Sequence, residues 1–119
     1  MDERRRYVRL DAGVEVKYSV FSSDAVPLLT TAKEISAGGI RIFTGEKLDI
    51  GTKVYLAIKL PGSETPIEGE AEVVWVEEFM IISEPRPSTK FEVGLSFITI
   101  DEENINQISK YIFGQLKKV

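Results

Sequence analysis

Histidine and cysteine are both missing from the sequence. Without cysteine the chain has no disulfide, no thiolate nucleophile and no cysteine ligand for zinc. Without histidine it has no Ser-His-Asp triad, no imidazole general base and no histidine ligand for a metal. Catalysis by this chain alone would have to use carboxylates, lysine or tyrosine. We predict that the protein is not an enzyme and that it has no catalytic residue, no metal and no cofactor.

Long apolar runs are also lacking. No stretch of the sequence approaches the roughly 18 to 20 apolar residues that a membrane-spanning helix needs. The start, MDERRRYVRL, has no hydrophobic segment after its charges and so does not have the pattern of a secretory signal. The sequence therefore predicts a cytoplasmic protein without membrane insertion. Its 119 residues are the size of one domain.

Charge is distributed unevenly along the chain. Four of the six arginines occupy six consecutive positions, as Arg4, Arg5, Arg6 and Arg9. Residues 2–9 carry a charge of +2, which leaves −6 for the remainder of a chain with a net charge of −4. Because nucleic-acid affinity grows with the number of phosphates neutralised, the acidic body argues against binding of a nucleic-acid polymer.

The arginine-rich arm is better suited to a small anionic ligand. The guanidinium group of arginine is a planar fork that pairs with a phosphate or with the O6/N7 edge of guanine. A solvated basic tail that aids solubility or docks on an acidic partner is the alternative interpretation.

Alternation of apolar and polar residues predicts six strands. It is clearest at residues 14–20, where the period of two is that of a half-buried strand. The other strands are predicted at 28–35, 40–43, 53–60, 67–76 and 91–98. Residues 77–90, which contain Pro85 and Pro87, are predicted to be irregular. Six strands with hairpin-length links predict an antiparallel barrel or sandwich.

Near the C-terminus the apolar period changes from two to three or four. The apolar positions are Ile105, Ile108, Ile112, Leu116 and Val119. This spacing predicts an amphipathic helix over residues 102–119. Thr99 and Glu102 have the spacing of a capping box, which predicts the start of the helix. The acids at 101–103 favour a helix N-terminus rather than an acid/base pair.

Two motifs carry the candidate binding chemistry. The arm contains Arg5-x-x-x-Arg9, and 25 positions after it Glu34, Ser36 and Gly39 form an acid-x-Ser-x-x-Gly pattern. The two adjacent glycines at 38–39 predict a tight turn or a bulge, either of which needs positive φ and close backbone approach. With the GEAEVVW and VGLSF strands and the closing helix, these motifs resemble the PilZ domain family over nearly the whole chain.

The resemblance implies a six-stranded antiparallel PilZ-type β-barrel with a C-terminal α-helix and a flexible N-terminal arm. We accordingly expect a single domain over residues 1–119. Its expected parts are the arm at 1–10, the barrel at 13–98 and the helix at 100–118.

The resemblance also implies a receptor for the bacterial second messenger cyclic di-GMP. In such domains the arm wraps over the ligand and the second motif lies on the barrel surface. The implied ligand-binding residues are Arg4, Arg5, Arg9, Glu34, Ser36, Gly38 and Gly39. The Ser36 hydroxyl would donate to the ligand, and Gly39 would hold a turn that a side chain would obstruct. Arg4 would be a further contact, of a kind that accompanies binding of a stacked pair of messenger molecules.

The second motif of the family normally begins with Asp or Asn, whereas Glu34 stands at this position here. Its extra methylene moves the carboxylate by roughly one bond length and adds rotamer entropy, so we expect binding to be retained but weakened.

The implied function is that of a signalling adaptor. Ligand binding would change the conformation of the arm, and the altered surface would act on an unidentified downstream protein in motility, polysaccharide or biofilm control. The alternative is a PilZ-fold interaction module that binds no nucleotide and has a pilus or flagellar function. Candidate partner surfaces are residues 79–82 and the C-terminal helix, and homodimerisation is left open. Trp75 is predicted to be a core residue, with a stacking platform as the alternative.

Overall fold

The structure is a computed structural model, and it describes residues 10–21, 26–82 and 86–116. Its elements are β1 (Leu10–Val20), β2 (Leu28–Ile35), β3 (Gly39–Thr44), β4 (Lys53–Lys59), β5 (Ile67–Ile81), β6 (Ser88–Thr99) and α1 (Glu102–Leu116). The strands form a closed antiparallel barrel in the order β1-β2-β3-β6-β5-β4. The predicted six-stranded antiparallel barrel with a C-terminal helix is thereby confirmed. The described helix α1 lacks the length and apolarity that crossing a membrane would require.

The period of two in the sequence corresponds to the inner and outer faces of the barrel. In β4 the side chains of Val54, Leu56 and Ile58 are buried in the core, whereas Lys53 and Lys59 are exposed. Burying an aliphatic side chain of this kind contributes about 1.5 to 3 kcal/mol. The alternating apolar side chains therefore both fill the barrel and determine which face of each strand is free to form a site.

Helix α1 is attached to the barrel through its apolar face. Ile108 and Ile112 are almost fully buried and belong to the same core as the strands. Gln107 donates a hydrogen bond of 3.2 Å from its Nε2 to the Ser63 hydroxyl in the β4–β5 connection. The helix therefore packs at the end of the barrel where that connection lies.

The helix begins later than the capping-box spacing predicts. Thr99 is the last residue of β6, where it pairs with Glu70 and its hydroxyl donates to the Glu70 carboxylate at 3.3 Å. The N–H of Ile105 donates to the carbonyl of Asp101 at 3.0 Å, so Asp101 is the N-cap residue. The prediction of Thr99 as the cap is wrong, because strand pairing holds this residue in β6.

The segment 77–90 is mostly regular, which corrects the prediction of an irregular stretch. β5 continues to Ile81 and pairs with β6 from Ser88 onward. Pro87 directly precedes β6, a position that a residue without an N–H tolerates. Pro87 therefore lies outside the paired residues of a long hairpin that β5 and β6 form.

Candidate functional site

The Ser-x-x-Gly part of the second motif forms the turn between β2 and β3. The N–H of Ser36 donates to the Gly39 carbonyl at 2.9 Å. The Ser36 hydroxyl accepts from the N–H groups of Gly38 and Gly39, both at 3.2 Å. The same hydroxyl donates to the Gly39 carbonyl at 3.4 Å, so a ligand that accepts its proton would have to replace this contact. Ser36 thus holds the turn, and its contact to a ligand stays a prediction.

Gly39 lies where two backbones approach closely. A Cβ atom at this position would overlap the carbonyl oxygen of Leu95 on β6. Positive φ is found at Gly51 and Gly62 in the described ranges and not at Gly38 or Gly39. The expected close backbone approach is therefore present, whereas the expected positive φ is wrong for this turn.

A network of four charged side chains lies beside the turn, on the outer face of the barrel. Arg41 donates from one terminal nitrogen to Glu34 at 3.3 Å and from the other to Glu92. Lys33 donates from Nζ to the second oxygen of Glu92 at 2.9 Å. Strands β2, β3 and β6 thus contribute a continuous chain of two bases and two acids.

Glu92 is the anchor of this network. Its side chain is 9% exposed and accepts hydrogen bonds from both cations. Burial alone would raise the pKa of Glu92, but the hydrogen bonds and positive charges of Lys33 and Arg41 outweigh burial and hold the pKa below its ordinary value. Glu92 therefore stays ionised and fixes Arg41 next to the motif.

Trp75 lies on the outer face next to Arg41, which corrects its predicted place in the core. The guanidinium carbon of Arg41 is 4.9 Å from the centre of the indole, within the range of a cation–π contact. The indole covers Gly94, where a Cβ atom would overlap it. A bulge between Val73 and Trp75 shifts the alternation, so Val76 packs against the core. Half-buried Trp75 is thus available as a stacking platform.

The arginines of the first motif, Arg4, Arg5 and Arg9, lie outside the described residues. The described chain begins at Leu10, which pairs with Ile35 immediately before the turn. The arm is therefore attached to the barrel next to the second motif.

An apolar groove lies farther along the same outer face. The rings of Phe43 and Phe79 meet edge to face at 5.9 Å. The groove of about 440 Å³ is lined by Phe43, Thr44, Gly45, Phe79, Ile81 and Lys90. Met80 and Ile82 are 58% and 75% exposed. Residues 79–82, a predicted partner surface, are thus divided between groove and solvent.

Sequence reasoning did not identify Arg41, Lys33 or Glu92. Arg41 could have been found from the sequence. It is one of two arginines outside the arm, it follows the glycine pair, and it alternates with the buried residues of β3, so its side chain is expected on the outer face. Glu92 could not have been found in this way. It is 59 positions from Lys33 in the sequence, and no local pattern distinguishes it from other glutamates in strands. In the part of the chain that the structure describes, no cluster of acidic side chains could hold a metal ion.

Several solved structures share this fold. The Bacillus subtilis inhibitor of motility, MotI/DgrA, has 27% identity and a TM-score of 0.74, over 97% of this chain and 52% of that one. The PilZ domain of YcgR from Escherichia coli, solved with c-di-GMP, has 18% identity and a TM-score of 0.71, over 97% and 93%. The K. pneumonia MrkH complex with c-di-GMP has 18% identity and a TM-score of 0.71, over 99% and 55%.

This chain spans about half the length of the MotI and MrkH chains and nearly all of the YcgR domain. No curated protein matches the sequence. The family model that describes the PilZ domain matches residues 3–114, which include both motifs, all six strands and most of the helix. The chain therefore belongs to the PilZ domain family.

Proposed function

We propose that the protein is a cyclic di-GMP receptor that signals to a partner protein and has no catalytic activity. The observation that carries the proposal is the attachment of the arginine arm beside the β2–β3 turn, since Leu10 pairs with Ile35. The described strand that follows the arm thus begins beside a rigid polar turn, and this supports a ligand that contacts both motifs. The c-di-GMP complexes of the related YcgR and MrkH chains support the same ligand.

The chemistry of the ligand matches these groups. Cyclic di-GMP has two phosphates and two guanines. Arg4, Arg5 and Arg9 would pair with phosphates and with guanine O6/N7 edges. The Glu34 carboxylate would accept from the N1 and N2 donors of a guanine, and the Ser36 hydroxyl would donate to the ligand.

The same proposal covers Gly38 and Gly39. Their backbone N–H groups are bound to the Ser36 hydroxyl, so they would shape the surface of the site and bring the ligand close to the backbone. A side chain at Gly39 would displace the turn from β6.

The experiment is a calorimetric titration of the full chain with cyclic di-GMP. We expect binding by the wild type, and loss of binding without loss of fold in Arg5→Ala and Arg9→Ala. Arg86→Ala is the matched control, because Arg86 is an exposed arginine outside the site. No heat at micromolar protein, together with no thermal shift at excess ligand, would contradict the proposal.

We further propose that the output is an interaction with a downstream protein in the cytoplasm. The apolar groove beside Phe43 and Phe79 lies on the outer face that also carries the site, and this supports it as the surface used. The name of MotI, an inhibitor of motility, makes motility the first process to test.

A further inference from the structure

We infer that Arg41 is a positioning residue that holds the Glu34 carboxylate in its ligand-binding orientation. Arg41, Glu92 and Lys33 are not part of either motif. The inference rests on the proposed function, because the orientation matters only if Glu34 contacts the ligand.

Arg41 is held on three sides. One terminal nitrogen binds Glu34, the other binds Glu92, and the guanidinium plane lies against Trp75. Its side chain is 26% exposed, whereas that of Glu92 is 9% exposed. Because Glu92 is itself bound by Lys33 at 2.9 Å, Arg41 has a fixed anchor on the barrel. The guanidinium is thus preorganised before any ligand arrives.

The Nε atom of Arg41 takes no part in this network. It is buried and has no hydrogen-bond partner among the described residues. A buried donor without a partner is destabilising. Arg41 therefore directs its two terminal nitrogens to carboxylates at the cost of leaving Nε unsatisfied.

Holding Glu34 compensates for the length of its side chain. A free glutamate loses rotamer entropy when a ligand fixes it. The 3.3 Å hydrogen bond from Arg41 restricts those rotamers in advance, through one oxygen of Glu34. A carboxylate has about four acceptor sites in all, so a guanine would share the Glu34 carboxylate with Arg41.

The effect of Arg41 should therefore depend on a glutamate at position 34. An aspartate would withdraw the carboxylate by about 1.5 Å, the length of one carbon–carbon bond, and so out of hydrogen-bonding reach of Arg41. Glu34→Asp should lose the contact that Arg41→Gln also removes.

The test is a double-mutant cycle on cyclic di-GMP affinity. With glutamate at position 34, we expect Arg41→Gln to weaken binding about tenfold, the order of one charge-assisted hydrogen bond, and Arg41→Lys to restore part of the loss. In the Glu34→Asp background, where the contact is already lost, Arg41→Gln should change the affinity little. Arg86→Gln is the matched control and should bind as the wild type does.

A second measurement needs no ligand. Trp75 is the sole tryptophan, so the emission spectrum reports on its contact with Arg41. Arg41→Gln and Glu92→Gln should both shift the emission, whereas Arg86→Gln should not. Thermal unfolding of each variant checks that it is folded.

The outcomes are distinguishable. A wild type that binds no cyclic di-GMP overturns the proposed function and this inference together. If the wild type binds, then undiminished binding by Arg41→Gln overturns this inference alone. An equal loss from Arg41→Gln with glutamate and with aspartate at position 34, or an unchanged emission spectrum in Arg41→Gln, overturns it as well.

Discussion

At the scale of single residues, Ser36 and Gly39 shape the β2–β3 turn by different means. The hydroxyl of Ser36 accepts hydrogen bonds from the backbone N–H groups of Gly38 and Gly39, and so takes the place of backbone carbonyl acceptors in the turn. Gly39 has no side chain, and this allows β3 to approach β6 closely, because a Cβ atom at this position would overlap the carbonyl oxygen of Leu95. One residue adds hydrogen bonds and the other allows close approach, so the turn needs both residue types at this spacing.

Gly39→Ala should destabilise the protein. The added methyl group has no room beside the Leu95 carbonyl, and overpacking of this kind costs about 1 to 3 kcal/mol. Chemical denaturation would measure the loss in the free energy of unfolding. Gly45→Ala is the control, because a Cβ there meets only the Lys90 Nζ at 3.8 Å. Equal stability of the two variants would contradict the close approach.

The lowered pKa of Glu92 predicts a dependence of stability on pH. A carboxylate whose pKa is lower in the folded state stabilises the protein above the ordinary pKa that it has in the unfolded chain. That contribution is lost as the pH falls through the folded pKa. Glu92→Gln should therefore lose less stability than the wild type between pH 7 and pH 3.

Urea unfolding of the two proteins at both pH values measures the difference. Glu64→Gln, at an exposed position before β5, controls for the loss of one negative charge. Parallel loss of stability in the wild type and in Glu92→Gln would show that Glu92 has no part in the acid sensitivity.

At the scale of elements, β5 and β6 determine the shape of the outer face. Their hairpin extends beyond the end of β3, which pairs with β6 only up to Phe91. The bulge before Trp75 turns this side chain onto Gly94, next to Arg41 of β3. The site and the apolar groove are therefore consecutive parts of one surface formed by β2, β3, β6 and β5.

Helix α1 contains a position where a small change should stabilise the protein. Gly114 is exposed, and a Cβ there would meet nothing within 4 Å. Gly114→Ala should raise the free energy of unfolding by about 0.5 to 1 kcal/mol, because alanine loses less backbone entropy in a helix. Thermal or urea unfolding measures the gain.

The control for this change is Gly62→Ala. Gly62 has a φ of 85°, so alanine at this position should be destabilising although it also meets no neighbour. Stabilisation by both substitutions would contradict the backbone argument.

At the scale of the whole molecule, charge is divided between the arm and the body. Residues 2–9 carry a charge of +2, and the other residues of the chain carry a charge of −6. The arm continues into β1 beside the second motif. An anionic ligand bound between the arm and the barrel would neutralise the positive charge of the arm and hold the arm against the barrel. This arrangement favours a change in the arm as the output of binding.

We expect cyclic di-GMP to lower amide hydrogen exchange across residues 2–10. Exchange at saturating ligand, followed by mass spectrometry, would measure the effect. The C-terminal part of α1 in the same protein is the internal control, since it is remote from the β2–β3 turn in the sequence and should not change. Unchanged exchange in the arm of a protein that binds the ligand would rule out this switch.

The sequence predicted the barrel because apolar residues at every second position indicate a strand with one buried face. Strand β4 is identified by its own apolar residues Val54, Leu56 and Ile58, without knowledge of the strands beside it. Helix α1 is identified in the same way by apolar residues that recur every three or four positions. The prediction failed at residues 77–90, where prolines suggested a loop but cross-strand pairing extends both strands. It failed again at Trp75, because a bulge that moves a residue to the other face leaves no mark in the periodicity.

The sequence by itself determined the positions of the strands and the helix and the two motifs of the candidate site, since these depend on residues close together in the chain. Only the tertiary structure decided the partners of Arg41. Glu34, Trp75 and Glu92 reach it because the strand order β2-β3-β6-β5 places distant segments side by side. The physical reason is that strand pairing and barrel closure set these distances, and no local pattern of side chains records which strands will be neighbours.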